Sequence, residues 1–187
     1  MTNAHPVEFR RATAADAESI VGFWTASGAS MGPSDTVEGV RAAIRHPSAI
    51  FLLAIDGEGT VGTLLGTFDG WRGNLYRLVV RLDRRRQGIA RRLVREMERR
   101  FADWGVRRVT VLVEADRPWA VAFWTAVGYP RDHRIVRHVG ELPAMHVDVE
   151  ARLPLPVCAI AREEQLRAAL SAFDVVGRDV ERRAIDC

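Results

Sequence analysis

Apolar positions along the chain change spacing several times, and each change marks a new element. Val7 to Arg10 is a short run of mixed apolar character that predicts a strand. After Thr13 the residues Ala14, Ala17, Ile20, Val21 and Trp24 recur at helical spacing, until Ser27-Gly28 through Met31-Gly32-Pro33 interrupts them. Ser34 or Asp35 is placed to cap a second helix, with Val37, Val40, Ala43 and Ile44 on its apolar face and His46-Pro47 at its end. Ile50 to Ile55 is unbroken apolar chain, too short for a helix and rich in strand formers. Asp56-Gly57-Glu58-Gly59 then turns it into Val61 to Phe68, which predicts a hairpin. A further turn, Asp69 to Asn74, leads into Leu75 to Leu82. Apolar side chains on both faces of that run predict a central strand.

The cleanest stripe follows: Ile89, Ala90, Leu93, Val94, Met97, Phe101 and Trp104 share one helical face, closed by Gly105. Val109 to Val113 reads as a strand, and the helical crossover before it requires it to run parallel to Leu75 to Leu82. Asp116 is placed to cap another helix, with Pro118 in its first turn and Trp119, Phe123, Trp124 and Val127 along it, stopped by Gly128. Arg134 to Val139 and Met145 to Val149 are expected as a final hairpin. Beyond Pro156 the composition shifts, and Leu166, Ala169, Leu170 and Phe173 mark a short helix. The expected organisation is one domain over residues 1–150 and a C-terminal extension over 151–187, suited to cover that domain or a homodimer partner.

Composition narrows the class. The chain has 187 residues, 48% of them hydrophobic and 27% charged, which fits a globular domain with a core of its own. Cys158 and Cys187 stand far apart with no ligand-like spacing, so no metal site and no disulfide framework are expected. No window approaches a membrane span and the first residues lack a basic, then apolar, leader. A cytoplasmic protein with no membrane partner is the expectation. All 27 basic residues are arginine, which removes lysine Schiff-base and lysine general-base chemistry. The net charge is only +3 and no basic face alternates with aromatics, so nucleic acid is not expected as a partner.

Candidate chemistry gathers in Leu78 to Arg91, where a buried strand passes through an arginine-rich turn into the best helix. The first amides of a helix lack internal partners and sit at the positive end of its dipole, so this junction can cradle a diphosphate. Gly88 lets the backbone come close to it. The turn is neither a Walker loop nor a GxGxxG fingerprint. It has the form Arg/Gln-x-x-Gly-x-Gly/Ala, here Arg85-Arg86-Gln87-Gly88-Ile89-Ala90. Arg84 is open either to a further phosphate or to solvent.

This segment resembles the pyrophosphate-binding motif of the GNAT superfamily of N-acetyltransferases. Ala120, Phe123, Trp124, Gly128 and Tyr129 are similar to that family's later aromatic-glycine pattern, and order and spacing agree from about Val7 to Val149. The resemblance implies an α/β fold with a mixed, mostly antiparallel sheet of about six or seven strands, one splayed parallel pair and helices on both faces. It implies acetyl-CoA as co-substrate and a small-molecule or peptide amine as acceptor. Leu78, Val79 and Val80 are then the strand that meets the pantetheine arm, and Arg85, Arg86, Gln87, Gly88, Ile89, Ala90 and Arg91 the phosphate cradle. Arg117 stands where the family carries asparagine and is taken as a cofactor contact. Trp124 stands where many members carry a tyrosine thought to protonate the departing thiolate.

The reaction so implied is direct attack of an amine on the thioester, with the Val80 amide on the developing oxyanion. Glu114 and Tyr76 are the candidate bases, beside ordered water. The alternative is a CoA-binding regulatory or sensing protein with little turnover.

Overall fold

The computed structural model describes residues 6–140. Its elements follow the order β1 (Glu8–Arg11), α1 (Ala17–Ala26), α2 (Val37–Arg45), β2 (Ala49–Asp56), β3 (Gly59–Phe68), β4 (Gly73–Val80), α3 (Ile89–Asp103), β5 (Val109–Val111) and α4 (Pro118–Ala126). The strands form one sheet in the order β1-β2-β3-β4-β5. Neighbours run antiparallel except β4 and β5, which are parallel, as a helical crossover dictates.

The unbroken apolar run of β2 is explained by burial on both faces. Ile50, Leu52 and Ala54 pack with Leu93, Met97 and Phe101 of α3, whereas Phe51 and Leu53 pack with Ile20, Trp24 and Val40 of α1 and α2. Helices therefore cover both faces of a mixed sheet. The strands of this unit number five among the described residues. Arg134 to Val139, expected as one side of a final hairpin, carry no strand. Its other side, and the expected helix through Leu166 and Phe173, lie outside the described residues, as does the 150/151 boundary. Chain contacts divide at Ile135/Val136, and residues 136–140 of the second unit contain neither helix nor strand.

Several ends differ from expectation for identifiable reasons. Neither Ser34 nor Asp35 caps α2; Thr36 does, its Oγ1 accepting from the Gly39 amide at 3.0 Å. Asp35 is engaged elsewhere, as described below. α4 starts after Arg117, with Pro118 in its first turn and no side-chain cap from Asp116. β4 begins earlier, at Gly73, whose amide donates to the Arg108 carbonyl at 2.9 Å. It ends earlier as well, because Leu82 to Arg84 coil into a short 3₁₀ turn. β5 is shorter than its sequence pattern, and that shortening opens the site.

Glycines let α3 lie close to the sheet. A Cβ on Gly66 would come within 2.5 Å of Met97 Sδ, and one on Gly62 within 3.0 Å of Ile89 Cγ2. Close packing there brings the N-terminus of α3 up to the end of β4.

Candidate active site

β4 and β5 pair over only three positions, from Gly73 with Val109 to Leu75 with Val111. β4 continues to Val80, while Leu112 and Val113 leave the ladder, so the strands part beyond Leu75. On the other side of β4 the register with β3 slips: Thr63 faces Val79, but Leu65 faces Tyr76. This is a bulge at Arg77 and Leu78, and Arg77 takes the left-handed conformation with φ +55°. The Arg81 amide bonds to the Val61 carbonyl at 3.0 Å. Antiparallel ladders alternate, so Val79 also faces β3, while the amides of Val80 and Leu78 face the gap that β5 vacates.

The phosphate-type cradle follows directly. Gly88 precedes α3 with φ +81°, and the first bond of the helix runs from the Arg92 amide to the Gly88 carbonyl at 3.0 Å. The amides of Gly88, Ile89, Ala90 and Arg91 are thus left as the helix's open donors. Arg85, Arg86, Gln87 and Arg91 have exposed side chains and do not fill the turn. Arg85 Nε donates to the Val80 carbonyl at 3.2 Å and Gln87 Nε2 to the Asp83 carbonyl at 3.2 Å, tying the cradle to the end of β4. Arg86 is the second non-glycine residue in the left-handed region, φ +60°. Among the described residues Arg77, at the β4 bulge, and Arg86, within the cradle, are the two non-glycine residues in this region.

Arg84 points the other way. Its Nη1 lies 2.8 Å from Asp56 Oδ2, whose side chain is completely buried, and Arg81 Nη2 lies 3.6 Å from the same oxygen. The approach is close as an ion pair without hydrogen-bond alignment, so Asp56 Oδ2 and Arg84 Nε lack a formal hydrogen bond. Arg84 therefore anchors the turn to the β2–β3 hairpin.

Beside the gap, the loop from Ser27 to Thr36 is held from two directions. Arg77 Nη1 donates to the Ser30 carbonyl at 2.6 Å, and its Nη2 is ion-paired with Asp35, which also accepts from the Gly32 amide. Arg117 Nη2 donates to Ser30 Oγ at 3.3 Å, while its Nε pairs with Glu114 at 3.0 Å. Burial pushes the Arg77 pKa down, with Glu114 opposing that shift. The loop, β4 and the head of α4 thus meet at Ser30. Tyr76, next to Arg77, is 37% exposed.

The structure gathers Glu114 and Arg117 at this loop, and Leu78 to Val80 with Arg85 to Arg91 at the cradle. No hydrogen bond joins Arg117 to the cradle among the described residues. Trp124 is 7% exposed and packs edge-on between Phe123 at 5.4 Å and Tyr129 at 5.3 Å, within the core. The Tyr129 hydroxyl donates to Glu98 at 2.9 Å, and burial, then that carboxylate, drives its pKa well above the usual phenol range. Arg77 and Thr63 belong to no motif in the sequence, and Asp56 reads there only as a turn residue. The features that mark them in the structure are a charged residue inside the β4 run, a wholly buried threonine at the centre of β3, and a turn aspartate too buried to serve only its turn.

Among the described residues, no group of histidine, cysteine or carboxylate side chains is arranged to hold a metal, and no helix is long and apolar enough to cross a membrane.

Comparison with known proteins gives a consistent result. The acetyltransferase (GNAT) family profile matches residues 14–129. A transcriptional regulator from Bacillus halodurans superposes with a TM-score of 0.60 at 22% identity, covering 72% of this chain and 100% of its own. The aminoglycoside 6'-N-acetyltransferase of Acinetobacter baumannii gives 0.61 at 16% identity, covering 73% and 99%. A predicted acetyltransferase from Clostridium acetobutylicum, solved with acetyl-CoA, gives 0.60 at 11% identity, covering 72% and 96%. At these identities the superpositions speak for the fold.

Proposed function

Since the chain belongs to the acetyltransferase (GNAT) family, we propose that it transfers the acetyl group of acetyl-CoA to an amine. One observation carries this reading most directly. The Val80 amide faces a gap between parted strands, and the open amides of α3 begin a few residues further along the same chain. A thioester on a flexible arm and a diphosphate at its other end would occupy the gap and the cradle together. Gly88, Ile89, Ala90 and Arg91 offer main-chain donors to the diphosphate, with the Arg85 and Arg86 guanidinium groups beside them.

The amine nitrogen attacks the thioester carbonyl, the C–S bond breaks, and the CoA sulfur leaves as thiolate. Val80 N–H is the donor for the oxyanion that forms in between. A thiol with a pKa of about 8.5 leaves acceptably near neutral pH, so a buried Trp124 in place of a phenol is compatible with turnover. The attacking amine must be neutral, and Glu114 and Tyr76 are the proposed acceptors of its proton, directly or through water. Glu114 is half-exposed and holds Arg117, which leaves its second oxygen for this work.

The test is release of CoA thiol from acetyl-CoA with a panel of amines: amino acids, a peptide N-terminus, a polyamine and an aminoglycoside. Amine-dependent thiol release with an N-acetylated product supports the reading. Tight acetyl-CoA binding without release for any amine would instead favour the sensing protein. No binding at millimolar acetyl-CoA would end both readings.

A further inference from the structure

We propose that Thr63, held in place by Trp24, is the positioning residue that sets the β4 bulge and thereby aims the Val80 amide. The proposal rests on the reading that the β4–β5 gap receives the thioester arm of acetyl-CoA.

Where a strand bulges, a carbonyl is turned out of the ladder, and an interior carbonyl without a donor is costly. At the bulge of β4 that carbonyl belongs to Arg77, and its donor is Thr63 Oγ1 at 2.9 Å. Thr63 is wholly buried. Its hydroxyl also accepts from Trp24 Nε1 at 3.0 Å. An indole N–H can only donate, so the single proton of the Thr63 hydroxyl is committed to Arg77. Trp24 is itself fixed, stacked on Phe51 at 6.0 Å and covered by the Arg77 guanidinium at 5.0 Å. The chain Trp24–Thr63–Arg77 therefore links α1 through β3 to the residue with φ +55°.

Consequences follow for the gap. Without the hydroxyl, the Arg77 carbonyl and the Trp24 N–H both lose their partner. The remedy open to β4 is to straighten Arg77 back into the ladder. A one-residue change of register exchanges the faces of a strand, presenting the Val79 amide where Val80 stood. The cradle keeps its separate anchor in Arg84 and Asp56, and the bond from Arg85 Nε to the Val80 carbonyl is the one tie to β4 that such a change would disturb.

The experiment is calorimetric titration of two ligands: acetyl-CoA, and 3'-phosphoadenosine 5'-diphosphate, which reaches only the cradle. Thr63→Val, nearly isosteric, is expected to weaken acetyl-CoA about tenfold and leave the nucleotide fragment within about twofold. Thr63→Ser, which keeps the hydroxyl, is expected to restore most of the affinity. Trp24→Phe removes the indole donor while keeping an aromatic ring, is expected to weaken acetyl-CoA about threefold, and carries the test if Thr63→Val does not give folded protein. The proposal is overturned if Thr63→Val, or Trp24→Phe where that variant carries the test, binds acetyl-CoA like wild type. It is also overturned if Thr63→Ser loses as much as Thr63→Val, or if both ligands weaken equally. Folded wild type that binds no acetyl-CoA marks failure of the acetyltransferase reading itself, and is seen before any variant is compared.

Discussion

Arg85 and Arg86 stand exposed at the mouth of the cradle, and neither forms an ion pair among the described residues. Arg86 makes no side-chain bond among the described residues and Arg85 only the 3.2 Å bond to the Val80 carbonyl, so replacement of both by alanine should leave the fold intact while removing the guanidinium groups and that one tie to β4. The double variant is expected to raise KM for acetyl-CoA about tenfold with kcat little changed, and the difference should shrink at high salt. Steady-state kinetics at two ionic strengths check this. Asp16 has the opposite character, structural and remote from the gap. Arg10 holds it through paired bonds of 2.9 and 2.6 Å, and the Thr13 amide and hydroxyl add two more. The Arg10 bonds first, with the Thr13 bonds assisting against desolvation, hold the Asp16 carboxyl far below the usual carboxylate range. A carboxyl depressed in the folded state contributes fully above its unfolded pKa of about 3.9 and loses that contribution as pH falls further. Asp16→Asn is expected to cost about 1 kcal/mol at neutral pH and to flatten the acid limb below about pH 4, read from urea midpoints.

Helix α3 shows how packing between elements places chemistry. Its apolar stripe was legible from spacing alone, because Ile89, Leu93, Met97 and Phe101 fall on one face. What that face rests on was not legible: a path of glycines, Gly62 and Gly66 on β3 and Gly73 on β4. A Cβ at Gly73 would stand 2.8 Å from Phe101 Cε2. Nothing in a single strand's pattern says that a glycine is there for a helix arriving from later in the chain. Gly66→Ala is expected to destabilise the domain by about 1–3 kcal/mol through overpacking against Met97 and Phe101. The measurement is the denaturant midpoint at unchanged m-value. Capping errors have the same origin. Asp35 has the chemistry of a cap, but the Arg77 guanidinium, distant in sequence, claims its carboxylate, and Thr36 takes the role.

Taken together, the described residues bound the gap with main-chain groups of β4, and the proposed proton acceptors, Glu114 and Tyr76, stand beside it. No carboxylate lies on β4, and the Trp124 indole is buried. For the acetyl transfer proposed here, log kcat/KM is expected to rise with unit slope in pH until the acceptor amine's own pKa, near 8 for an α-amino group and about 10 for an alkylamine. A pH profile with two acceptors of different basicity measures this, and a plateau independent of the acceptor would assign the limb to the enzyme. By itself the chain's sequence determined the element order from β1 to α4, the parallel placement of β5 and the turn at Gly88. These depend on local periodicity, on crossover handedness and on where glycine or proline must stand. Only the tertiary structure decided that β4 bulges at Arg77, that Thr63 stabilises the bulge, that Arg84 turns inward to Asp56 and that Trp124 joins the core. Each of those depends on which partner a side chain meets across the sheet. That pairing is set by register and close packing between distant segments, which carry no mark in the neighbouring residues.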